Sequence, residues 1–471
     1  MSTLVALARA QAAVEGRAQP IATVRHLHVH DHPLVLIPLA MAGEANAPLA
    51  AMIGTDPDRA QVFVVTQPRN RNERFKFAAS LAEVLVPYLE SFATETEDVP
   101  VDRGRDVRQR YRDAPQVWVP NSGGVDFLRL FGRSTRFRRI DGDYPVPPSV
   151  PLLGQWLTFL GASAELPGSS LLLNTVQALG LHWTTGQSGA EDARLASLYA
   201  WITDGADAAR AAENEPVAGP ATDPEFDNHV LAPLIEAGSP ELTTVLRELM
   251  LPTWRQMWQS LALLRTLPVG ERVGGRWDGD RDTYTAFVEH LAESGTPQPR
   301  RDGAVAAAAR LQRLENAASR YAVQRAFDDP LVMAEYRLTG NAFGGVVTLA
   351  NPDRVDDTGR RPVLRPRIMV ATTEPVRVEA GAALTSPARP AQKAKVVSVT
   401  PTATGVDVLL ELSGGMGRKL VAEPGSVPAV GEHLLLTTLS EAYRPGAAFP
   451  DPADTPWTHG GPPPTLPVSG D

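Results

Sequence analysis

The chain has 471 residues, of which 43% are hydrophobic and 21% charged, with a net charge of −9 and no cysteine. This length exceeds that of one ordinary domain, and the composition is that of a folded protein. The absent thiols exclude disulfides, thiolate zinc sites, iron–sulfur clusters and cysteine nucleophiles, and the acidic balance excludes indiscriminate coating of nucleic acid, which requires a surplus of cations.

The opening stretch MSTLVALARAQAAVEG carries Arg9 and Gln11 within its apolar run and has no basic lead-in. It predicts an amphipathic helix and not a secretory signal. No uninterrupted apolar run reaches the roughly 20 residues of a bilayer span, so a cytoplasmic location without membrane contact is expected. From Val24 to Met41, and again in QVFVVT from Gln61, β-branched and apolar residues bounded by Gly and Pro predict strands. Phe75, Phe77, Leu81, Val84, Leu85, Tyr88 and Leu89 recur at three- and four-residue spacing. That pattern predicts an amphipathic helix from Asn70 to Phe92, bent at Pro87. Residues 1–100 therefore read as a small α/β domain.

The acidic run Glu90 to Asp98 and the arginine-rich run Arg103 to Arg112 read as a polar linker, the second as a self-paired surface helix. Residues 116–330 read as mainly helical. A short strand at QVWV and a turn at PNSGG lead into helices from Val125, from Ser188 to Ile202, from Pro240 to Leu267, from Thr283 to Glu293 and from Ala304 to Phe327. The second of these opens on a capping box, Ser188 with Glu191. Trp254, Trp258 and Leu261 share one helix face and are expected in the core. Residues 331–443 hold the short runs VMAEYRLT, GVVTLA, RIMVATT, KAKVVSV, VDVLLEL and HLLLTTL, which predict an all-β, small barrel-like domain. Residues 444–471, rich in proline, read as a flexible tail. The expected class is α+β and multidomain, with an N-terminal α/β part, a helical middle and a C-terminal antiparallel β-barrel-like part.

Two local features carry chemical potential. His26, His28, His30 and His32 alternate along one extended stretch, so on a strand their imidazoles share a face, where neighbouring pairs can meet zinc or another transition metal. That reading gives a metal-dependent hydrolase. The plainer one is a solvent-facing strand whose Leu27 and Val29 point inward. The second feature is a basic zone. Between residues 101 and 140 arginines stand at 103, 105, 108, 110, 112, 129, 133, 136, 138 and 139 against only Asp102, Asp106, Asp113 and Asp126. Upstream, Arg69, Arg71, Arg74 and Lys76 crowd the start of the Asn70 helix, where unpaired amides add to the positive potential. Joined with Arg133, Arg136, Arg138 and Arg139, they would form a surface for nucleic acid or another polyanion.

The chain spells no phosphate-binding GxxxxGK[ST] loop and no HExxH, and GQSG at Gly186 falls one residue short of a nucleophile elbow. From Ala391 to Ser440 there is no Phe, Tyr or Trp, so the β region lacks the aromatic platform on which single strands stack.

The strings PLAMAGEANAPLAAMIG from Pro38, HWTTGQSGAEDARLASLYAWI from His182, DDPLVMAEYRLTG from Asp328 and DTPWTHGGPP from Asp454 resemble those of an uncharacterised family of actinobacterial proteins. The resemblance spans nearly the whole chain and carries no cofactor or catalytic residue with it. It implies a role beside helicase-like ATPases, as an accessory to nucleic-acid processing. Taken with the missing catalytic signatures, the expectation is a non-catalytic accessory or scaffold protein of a bacterial nucleic-acid-processing or defence-like assembly. It would need no cofactor and would contact a protein partner and phosphate. A purely structural protein–protein interaction module is the further alternative.

Overall fold

The computed structural model describes residues 2–43, 47–101, 104–213, 215, 219–293, 295–441 and 448–451. The predicted Pro-rich tail and the DTPWTHGGPP string lie almost wholly outside these residues. The fold is α+β and multidomain, and its C-terminal part is a closed antiparallel barrel. Among the described residues no helix is long and apolar enough to cross a membrane.

The first helix, α1 (Thr3–Glu15), is capped by the Ser2 hydroxyl, which accepts from the Val5 amide, and ends on Gly16 in the left-handed conformation. The central sheet contains β1 (Leu34–Ala40), β2 (Pro48–Gly54) and β3 (Gln61–Val64). It continues past residue 100. A hairpin of β4 (Thr96–Val101) and β5 (Asp106–Tyr111) stands apart, after which β6 (Val117–Val119) and β7 (Leu172–Asn174) complete the order β3-β2-β1-β6-β7. β1, β6 and β7 run parallel, whereas β2 and β3 are antiparallel additions. The sheet thus draws strands from both sides of the expected boundary at residue 100.

Every residue of β1 is buried, because helices cover both faces of the sheet. Leu34 and Leu36 point into one core with α2 (Arg71–Glu90), α3 (Ser122–Thr135), α4 (Ser149–Ala164) and α7 (Val273–Glu293). Val35, Ile37 and Leu39 point into the other, where Trp254, Met257 and Leu261 of α6 (Glu241–Arg265) cover them. The helix α5 (Leu195–Thr203) also packs there. It does not start at Ser188: the capping box closes a separate single turn, Gly189–Asp192, and Arg194 is extended between the two.

After α8 (Ala304–Asp328) comes a difference from the sequence reading. VMAEYRLT is not a strand but lies within the helix α9 (Pro330–Leu338), with Pro330 at its first turn and the Asp329 carboxylate accepting from the Leu331 amide. The Asp329 cap and the packing of Met333, Val332 and Tyr336 with Ala326 and Ala342 favour the helix here. The barrel follows as β8 (Ala342–Asn351), β9 (Arg367–Thr372), β10 (Ala383–Thr385), β11 (Lys393–Pro401), β12 (Val406–Ser413) and β13 (His433–Thr437), closed in the order β8-β9-β12-β11-β10-β13. Its alternating inward residues, among them Ile368, Val370, Val408, Leu410 and Leu412, fill the interior with aliphatic groups.

Candidate polyanion-binding face

The basic zone divides into two parts with opposite fates. Arg108 and Arg110 lie on strand β5, with Arg112 just after its end, and not on a surface helix; they stand opposite the acidic β4, with Glu97 directly across from Arg110. Arg110 is buried and pairs with Glu97 at 2.6 Å, while Asp278 and Asp282 of α7 lie within 3.8 and 3.5 Å. Arg108 meets Asp282 at 2.6 Å and Arg112 meets Glu95 at 3.1 Å. This half of the zone is neutralised by its neighbours and holds the hairpin against α7.

The second half is built differently. α3 begins where the Asn121 side chain accepts from the Gly124 amide, and it crosses α4 at glycines on both helices. A Cβ on Gly132 would meet the Thr158 amide nitrogen at 2.9 Å, and one on Gly154 would meet the Arg136 nitrogen at 2.2 Å. That close approach fixes the end of α3, and with it Arg136, which is only 4% exposed. Arg136 donates from Nε to the Gln298 carbonyl at 2.9 Å and from Nη2 to the Pro299 carbonyl at 3.0 Å. Its Nη1 has no partner.

Around this anchored guanidinium stand others. Arg133, Arg136, Arg138 and Arg300 line one concavity of about 350 Å³, together with Ser134 and Phe137. The Phe137 ring carries two cations, Arg136 and Arg300, each 4.7 Å from its centroid. Phe75 of α2 does the same for Arg71 at 4.7 Å and Arg138 at 5.3 Å, so the two arginine groups of the sequence meet at this ring. Arg71 also donates to the Tyr144 carbonyl at 2.9 Å. Among the described residues no carboxylate lies within 4.0 Å of Arg71, Arg133, Arg136, Arg138 or Arg300. Burial first, and then the charges of Arg133 and Arg300, push the Arg136 pKa down; for Arg138 burial is joined by Arg71, Arg74 and Arg300. Like charges crowded this way are stabilised by an anion.

Other expected members do not contribute a bare charge. Lys76 pairs with Glu73 at 2.7 Å and Arg139 with Asp141 at 3.2 Å, while Arg69 and Arg74 each have a contact of their own. Arg300 was invisible to the sequence reading. It follows α7 in the stretch PQPRR, whose dibasic end within a proline-rich loop was the one available signal.

The histidine stretch forms neither a metal centre nor a solvent-facing strand. Residues 26–32 have no strand pairing, and both sides of the segment are covered. Leu27 and Val29 are buried, and so are His26 and His30. His26 Nε2 lies 3.1 Å from Asp329 Oδ2, and His30 Nε2 lies 2.8 Å from Asp113 Oδ2. His28 stacks on Trp277 with centroids 4.0 Å apart, and burial followed by the charge of His30 takes its pKa down to about 4. His32 is exposed. Three of the four imidazoles are thus committed to different partners, and among the described residues no group of three or more His, Cys, Asp or Glu side chains is placed to hold a metal ion.

No protein-family model, curated protein or solved structure matches the chain. The functional reading therefore rests on this geometry.

Proposed function

We propose that the chain is a non-catalytic accessory protein of a nucleic-acid-processing or defence-like assembly, and that it contacts phosphate through the face of Arg71, Arg133, Arg136, Arg138 and Arg300. The observation that carries this reading is the convergence of guanidinium groups from three separate segments, with no carboxylate of the described residues within ion-pair distance of any of the five. A protein of net charge −9 that keeps such a cluster bare has concentrated its positive potential where an anion can use it. The helix-dense body supplies a rigid mount. The aliphatic barrel, which has no aromatic residue from Ala391 to Ser440, is suited to docking a protein partner such as a helicase-like ATPase and not to stacking bases.

Fluorescence anisotropy with labelled single-stranded DNA, duplex DNA and RNA 20-mers at 50 mM salt tests the proposal. Binding is expected to weaken with salt, with a log–log slope of roughly −3 for single strands if about four phosphates are neutralised. The double variant Arg133→Ala, Arg300→Ala should bring that slope to about half. Absence of binding to all three probes at low salt overturns the reading.

A further inference from the structure

We infer that the concavity around Arg136 is an end-recognition subsite, one that takes the terminal phosphate monoester of a nucleic-acid strand instead of an internal phosphodiester. This inference rests on the proposed phosphate-binding face and adds to it the chemical group recognised. Internal phosphates are single charges strung along a chain, and a surface that follows them spreads its cations along a track. Here four guanidiniums, Arg133, Arg136, Arg138 and Arg300, line a single space of about 350 Å³. Charge concentrated at one point matches a group that is itself concentrated: a monoester with close to two negative charges and three terminal acceptor oxygens.

The anchoring of Arg136 supports the same conclusion independently. Two of its three nitrogens are held by the Gln298 and Pro299 carbonyls, and only Nη1 is unpaired although buried. A buried donor without an acceptor costs stability, and this one belongs to a side chain that lines the concavity, where a ligand oxygen would supply the missing acceptor. The Ser134 hydroxyl, which donates to the Phe131 carbonyl at 2.9 Å, lines the same space. Two aromatic rings at this face are already engaged: Phe137 carries Arg136 and Arg300, and Phe75 carries Arg71 and Arg138. They hold the cations in place, and the ring left open at this face is Tyr144, 76% exposed with Arg71 5.7 Å from its centroid, which can stack any base alike. The site therefore distinguishes strand ends by charge and is indifferent to sequence.

The test is fluorescence anisotropy with a single-stranded 12-mer carrying a 3′ fluorophore and either a 5′-phosphate or a 5′-hydroxyl, at pH 7.5 and 50 mM salt. The phosphorylated strand is expected to bind at least about tenfold more tightly, the scale of one charge-assisted hydrogen bond. The advantage should disappear in Arg300→Ala and in Arg133→Ala, both exposed positions whose loss leaves the core untouched, and should persist in Arg139→Ala, whose guanidinium is paired with Asp141. It should also shrink at pH 5, where a monoester loses its second charge. Inorganic pyrophosphate should displace the phosphorylated strand. Equal affinity for the two strands overturns end recognition and leaves the phosphate-binding face standing, whereas binding of neither strand overturns both.

Discussion

The crossing of α3 and α4 makes a demanding prediction, because it joins the packing of the protein to its candidate site. Gly154→Ala adds one methyl group that would lie 2.2 Å from the Arg136 nitrogen, 2.6 Å from its Cα and 2.6 Å from Thr135 Oγ1. Two of these atoms belong to the backbone and cannot swing aside. Ordinary contact begins near 3.4 Å, so the end of α3 and the facing turn of α4 must part by roughly 1 Å. Overpacking of this kind costs about 1–3 kcal/mol, which lowers Tm by roughly 2–4 °C per kcal/mol in a domain of this size. The displaced backbone carries Arg136 away from the Gln298 and Pro299 carbonyls, so affinity for the 5′-phosphorylated strand should fall by about tenfold as well. Differential scanning fluorimetry and anisotropy on the same preparation read both effects. A variant that melts within about 1 °C of the parent and binds unchanged would refute the argument that glycine at the crossing positions Arg136.

Four other outcomes follow from particular positions. Arg110→Ala, which strands Glu97, Asp278 and Asp282 near one another at the hairpin, should destabilise the fold by about 2 kcal/mol in urea titrations and leave anion binding untouched. Gly279→Ala, in the interior of α7 with no atom within 4 Å of the added methyl, should stabilise by about 0.5–1 kcal/mol in the same assay. His28 and His182 are both taken down to about 4, chiefly by burial, and therefore stay neutral in the folded protein while the unfolded chain gains protons below about 6.5. Their contribution is complete above pH 6.5 and is lost as pH falls towards 4, so the urea midpoint should drop over that window and drop less in His28→Gln. Asp280 works in the other direction: burial pushes it up to about 7 against the hydrogen bonds from Ser169 and the Ser170 amide, so its contribution is complete below about 4 and lost as pH rises from there to about 7, and Asp280→Asn should remove that loss.

The elements whose residues satisfy their own local rules were legible before any fold was known. The periodicity of α2, the apolar face of α6, the uninterrupted α8 and the alternating short strands of the barrel all state their structure within a window of a few residues. Where local signals competed, the sequence reading was overturned: VMAEYRLT is β-rich in composition but follows an Asp–Pro cap, and the Arg103–Arg112 run alternates charge with a period that fits a strand as well as a helix. The histidine stretch alternates too, yet His26, His28 and His30 each go to a partner supplied from far along the chain, Asp329, Trp277 and Asp113, and only His32 is left to solvent.

The candidate site shows the same division. Composition and sequence position identified the arginines, because charge is a property of residues taken one at a time. Which of them remain uncompensated is a property of neighbours: Arg110 finds Glu97 across a hairpin, whereas Arg136 finds the Phe137 ring and carbonyls from residues 298 and 299, and Arg300 joins it from a loop more than 160 positions away. Local sequence fixes secondary structure through short-range sterics and capping, but electrostatic potential sums over whatever the chain brings within a Debye length. Only the tertiary structure, through two glycines that let α3 and α4 touch, decided where that sum would be left positive.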